Sequence, residues 1–317
     1  MAGAQSAQAP RASRGLVSRV GAYLSSPDGR EARLGYGFIL IWIIGFLAFE
    51  LGPLISVFFY SLTSYDVFSP PKWVGLANYQ RIFTNDPLFW TSLGNTAIIV
   101  MVAAPVRLAL ALAIALLLNQ KIRGIGIFRT AIYIPMIVPV AATAVLWAWI
   151  LDPRLGILNY MLNGLGIPSA AWMVTEAWSK PAIMVVTMWR IGEPVVLFLA
   201  GLQAIPQDLY EAADIDGAGW WTKLFRITVP MLSPTLFMLL VLECIELFQT
   251  FVWPYAMTKG GPLNSSISYV MYIFQRAFED FRIGYASALA VILFAVILVF
   301  TLALFKWSKS WVHSAVD

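Results

Sequence analysis

Six stretches of this 317-residue chain, at about 34–61, 91–118, 128–151, 181–204, 230–256 and 284–306, are apolar over lengths suited to crossing a bilayer. Roughly 20 residues suffice for a helix to do so. Hydrocarbon offers backbone N–H and C=O groups no partner, so only helices or closed barrels span it. No ten-residue alternating pattern of the kind a barrel needs occurs here. The reading is an all-α membrane protein with six transmembrane helices. A mobile N-terminal segment (1–33) precedes one membrane domain (34–317, core 91–306). With 60% hydrophobic and 12% charged residues, the composition excludes an ordinary soluble domain.

Several chemistries fall away early. The one cysteine, Cys244, lies within a span, and the one histidine, His313, lies in the C-terminal tail, so neither a His-based metal site nor a catalytic triad is expected. No Gly-Lys pair occurs, hence no phosphate-binding loop. The first 33 residues lack the apolar core and cleavage site of a secretory signal.

Basic residues set the expected orientation. With both termini cytoplasmic, inner segments hold Arg11, Arg14, Arg19, Arg30, Arg33, Lys121, Arg123, Arg129, Lys223, Arg226, Lys306 and Lys309. The outer loops hold Lys72, Arg81, Arg154, Lys180, Lys259, Arg276 and Arg282. The bias favours this arrangement and places segment 205–229 in the cytoplasm. The net charge of +4 then needs no nucleic acid, because basic inner loops against an anionic leaflet account for it.

That segment is the chain's most distinctive polar block. Pro206 suits a helix start, and Asp208 and Glu211 suit the positive end of the helix dipole. Gly217-Ala218-Gly219 supplies a bend. From the residues alone, a docking surface competes with an interfacial helix lying on lipid, anchored by Trp220 and Trp221. Glu211, Ala212, Ala213, Asp216, Gly217, Ala218, Phe225, Ile227, Pro230 and Pro234 resemble the EAA loop of binding-protein-dependent ABC importer permeases. Gly75–Tyr79, Asn95-Thr96, Tyr133-Ile134-Pro135, Asp152-Pro153, Gly156–Asn159, Thr258–Pro262 and Gly284–Ala288 resemble the carbohydrate-importing, maltose and glycerol-phosphate branch.

The resemblance implies a type I importer permease in a bacterial or archaeal inner membrane. It implies a second homologous permease, with a heterodimer the expected form, and two ATPase subunits that carry ATP and Mg. It also implies an extracytoplasmic substrate-binding protein. This chain itself would need no cofactor. Glu211, Ala212, Ala213, Asp216, Gly217 and Ala218 would sit in a cleft of an ATPase subunit, with Glu211 facing an arginine there.

Ionisable residues within spans are expensive and usually face a bundle interior or wet cavity. They are Glu50, Arg107, Arg190, Glu193, Glu243 and Glu246. Glu243, Glu246 and Thr250 share a helical face with Leu247, and Arg190 and Glu193 follow Thr187 by about one turn each. The resemblance makes Thr187, Arg190, Glu193, Glu243, Glu246, Leu247 and Thr250 the candidate substrate contacts. Two alternatives stand beside that reading: an intrahelical Arg190–Glu193 pair, and glutamates that face the second permease. The rival function is an ion- or proton-coupled secondary transporter that uses these carboxylates.

Overall fold

The computed structural model describes residues 27–120 and 122–312, so most of the N-terminal segment and His313 lie outside the described residues. Contacts divide the chain into two units, one ending at Val57 and one beginning at Phe58. In the first, helix α1 (Pro27–Phe46) passes through a wide turn at Leu47–Leu51 into α2 (Gly52–Ser61). The helix is under way at Pro27, ahead of the boundary expected at residue 34. Its apolar portion, Leu34–Ser61, reproduces the first expected span. Glu50 falls within the wide turn.

The second unit takes in the last turn of α2 and continues with a two-residue antiparallel pair, β1 (Thr63–Ser64) and β2 (Lys72–Trp73), followed by α3 (Ala77–Asn85) and the long α4 (Pro87–Leu118). Asp86 starts α4 by accepting from the Leu88 and Phe89 N–H groups, each at 3.1 Å, and Pro87 occupies a position where no N–H is needed. The last long helix, α14 (Ile283–Ser308), is likewise unbroken. Its Gly284 has no room for a side chain, because an added Cβ would stand 2.1 Å from the Thr63 carbonyl oxygen.

The three remaining expected spans are bent. Helices α5 (Ile125–Ile137) and α6 (Val140–Ile150) meet at 100°. Pro139 keeps Val138 out of the helical region (φ −71°, ψ 132°), and that ends α5. After the short α7 (Ile157–Gly164), α8 (Glu176–Met188) and α9 (Gly192–Gln203) form a second bent pair at 49°. Helix α10 (Gln207–Ile215) follows, then α11 (Trp220–Met231) and α12 (Ser233–Phe248), which meet at 66°. The fifth span therefore differs from the continuous 230–256 helix expected. It stops at Phe248, where Gln249 leaves the helical region (φ −93°, ψ 12°). A short outer helix, α13 (Tyr269–Phe274), leads towards α14.

The core sits where α4 packs on α8, α9 and α12. Ile99, Ala103, Ala104, Ile183, Val186 and Leu247 form one buried cluster. Ala111, Ala115, Leu118, Val195, Phe198, Leu202 and Ile205 form another towards the C-terminal end of α4. Alanines along α4 let its neighbours approach closely, as lipid-embedded packing favours.

Candidate functional site

The polar block folds as a helix, a left-handed turn and a second helix. Gly217 has φ +73°, which an L side chain rarely adopts. Around it the Ala218 N–H donates to the Ala213 carbonyl at 2.9 Å and the Gly217 N–H to the Asp214 carbonyl at 3.1 Å. These two bonds are the Schellman closure of a helix end. Lys223 reaches back from α11 to Asp214 Oδ1 at 2.6 Å, and Tyr210 and Thr228 share a hydroxyl–hydroxyl bond of 2.9 Å. The backbone is thus tied down while the surface stays free. Glu211, Ala212, Asp216 and Gly217 are exposed, Ala213 and Ala218 are half-buried, and Ile215, Trp220, Trp221 and Phe225 stand in the open. A small-residue face with two acids, Glu211 and Asp216, and an apolar fringe can fill a cleft.

The second arrangement lies at the helix breaks. The sharp bend between α5 and α6 frees carbonyls, and Arg190, from the break between α8 and α9, serves them. Its Nη1 donates to the Pro135 and Val138 oxygens at 2.9 and 2.8 Å, and its Nη2 donates to the Met136 oxygen at 3.3 Å. The approach is close enough that a Cβ on Gly192 would sit 2.8 Å from the Ile132 oxygen. From α4, Arg107 Nη2 donates to the Arg190 carbonyl oxygen at 3.4 Å. Its Nη1 lies 3.1 Å from Glu243 Oε2 and 3.8 Å from Glu246 Oε1 on α12. The Glu243 side chain is 5% exposed and that of Glu246 is 64% exposed, so Arg107 joins a buried carboxylate to an accessible one.

Residues 106–313 match the family described as the binding-protein-dependent transport system inner membrane component. The chain belongs to this family. A probable ABC transporter permease protein of Bacillus subtilis, YesP, is 41% identical over 88% of this chain and 91% of its own length. The trehalose/maltose transport system permease protein MalF of Thermococcus litoralis is 36% identical over 87% and 94%. Among solved structures, a chain of a bacterial ABC transporter involved in import of the acidic polysaccharide alginate superposes with a TM-score of 0.79. It is 23% identical, over 92% of this chain and 99% of that one. The fold is that of an ABC importer permease; three helices are long and apolar enough to cross a membrane, and counting each bent pair as one span brings the candidates to six.

In this permease the structure brings Glu243 and Glu246 to one guanidinium, that of Arg107, while Glu193 is exposed at the start of α9. Thr187 is buried and donates to its own helix at Met184 O, 2.7 Å away. Leu247 and Thr250 are also buried, and Thr250 lies beyond the end of α12. The guanidinium of Arg190 serves the carbonyls of the neighbouring span, whereas an intrahelical pair with Glu193 was the alternative expected. The residue that organises the cluster, Arg107, was singled out only as an ionisable group within a span. Its signal was an unpaired charge in an apolar helix, which demands a partner from elsewhere.

The loop-tying motifs have structural work of their own. Asn95 donates to the Asn264 and Ile267 oxygens at 2.9 and 3.1 Å, and Lys180 bridges Asn95 Oδ1 and Ser265 O. Asn159 joins Ala170 and Trp172.

Proposed function

We propose that this permease is one half of the translocation path of an ATP-driven sugar importer working by alternating access. Both its termini and the loop 205–229 face the cytoplasm of a bacterial or archaeal cell. A second homologous permease completes the path. Two ATPase subunits bind ATP and Mg, and closure of their dimer is received by Glu211, Ala212, Ala213, Asp216, Gly217 and Ala218. An extracytoplasmic binding protein delivers the sugar. The observation that carries this reading is the closed, exposed helical turn around Gly217 within a family of binding-protein-dependent permeases. A sugar is favoured because the trehalose/maltose permease is similar over nearly its whole length. The cluster chemistry agrees, since Glu193 and Glu246 are exposed carboxylates able to accept from hydroxyls.

The test is uptake into vesicles that hold the purified complex. Glu211→Ala and Gly217→Val should lose most ATP-driven uptake while the complex still assembles. Unchanged uptake in both, or uptake that needs no ATP, would overturn the assignment. Glu246→Gln should shift the sugar concentration at half-maximal uptake; an unchanged value removes Glu246 from the substrate path.

A further inference from the structure

The C-terminal end of α4 packs in one cluster with Ile205, at the base of the coupling loop. The opposite end of this 32-residue helix is therefore about 48 Å away. There, a cleft of about 420 Å³ opens, lined among others by Arg81, Asp86, Asn264, Arg276 and Arg282. Asp86 anchors it. Burial works against its charge, but hydrogen bonds from the Tyr272 and Tyr285 hydroxyls and the Phe89 N–H, with the Arg276 charge nearby, outweigh this. They hold the carboxyl below the ordinary value of 3.8. Arg276 is committed as well. It pairs with Asp280, donates from Nε to the Tyr272 hydroxyl at 3.0 Å and stacks 4.9 Å from that ring.

Two cations remain. Arg81 and Arg282 are exposed, and no carboxylate among the described residues pairs with either. Arg81 is placed against the Tyr285 ring, 5.8 Å from its centre. Asp86 and Asp280 are both set against Arg276, so the mouth of the cleft carries uncompensated positive charge over a hydrogen-bonded floor.

We propose that this cleft receives an acidic side chain of the extracytoplasmic binding protein, with Arg81 and Arg282 flanking the carboxylate. The inference rests on the importer reading and on the orientation that puts the N-terminal end of α4 outside. The chemistry favours a protein-borne acid over a free one. A single exposed Arg–carboxylate pair contributes only about 0–1 kcal/mol, too little to hold a free monoanion in salt. The same pair on a docking surface that makes other contacts adds steering and selects the partner.

The experiment measures ATPase stimulation of the purified complex in nanodiscs against concentration of the co-purifying binding protein, at low and physiological salt. Arg81→Glu and Arg282→Glu should each raise the half-saturating concentration about tenfold at low salt and flatten its salt dependence. Arg282→Gln should give a smaller rise, while basal ATPase and maximal stimulation stay unchanged. Stimulation with unaltered half-saturation in both reversals would overturn this site while leaving the importer reading in place. Absence of stimulation in the parent complex would overturn the importer reading itself. If the shifts occur in phosphatidylglycerol nanodiscs and vanish in phosphatidylcholine, the cleft holds a lipid phosphate and the proposal fails.

Discussion

The exposed loop 205–229 and the charged layer between the helix breaks are both polar islands in an apolar chain, yet they spend their polar groups differently. In the loop, backbone groups satisfy one another and the side chains are left outward; Glu211 and Asp216 are exposed. In the layer, side chains are turned inward to serve the backbone and each other. Arg190 caps freed carbonyls, and Arg107 ties three helices through Glu243 and the Arg190 carbonyl. A surface kept free can be read by another subunit, whereas a committed cluster holds geometry. The contrast predicts that substitutions in the layer damage stability first and those in the loop damage coupling first.

The strongest challenge to that contrast is Arg107→Met, which leaves Glu243 buried without its cation. A loss of about 3–5 kcal/mol is expected. It should appear as a large drop in melting temperature in detergent and largely recover in the Arg107→Met/Glu243→Leu double variant. Melting unchanged in the single variant would show that the pair does not hold the layer. Gly192→Ala comes next, because its Cβ must displace the Ile132 carbonyl; about 1–3 kcal/mol is expected in the same assay. In the loop, Gly217→Val should destabilise the turn locally by about 1–2 kcal/mol. Faster amide exchange across residues 207–218 with near-parental global melting would bear that out. Lys223→Ala should be smallest, within about 0.5 kcal/mol, since Asp214 is well exposed. A melting change as large as that for Gly192→Ala would erase the distinction between the two regions.

Much of this was legible in the chain itself. The apolar runs located the spans because length and composition alone decide whether a helix can cross lipid. The polar block located the helix–turn–helix at 207–231 because its signals are local: Pro206 before a helix, Gly217 where a left-handed residue is needed. What stayed hidden was tertiary. Pro139 stands at the corner between α5 and α6, but the 100° angle depends on which neighbour supplies donors to the freed carbonyls. Arg107 announced a need for a partner, but Glu243 lies on a helix far along the chain. Of the helical face drawn through Glu243, Glu246, Leu247 and Thr250, the first three lie on α12 and Thr250 falls beyond its end, because the helix stops at Phe248.

The guanidinium of Arg190 reaches three carbonyls across an elbow that has no lateral slack at Gly192. Such a joint works as a bell crank: the corner belongs to one span, and the pin that holds it belongs to the next. Straightening the corner would tear out the pin, so the elbow between α5 and α6 and the break between α8 and α9 are held as one piece.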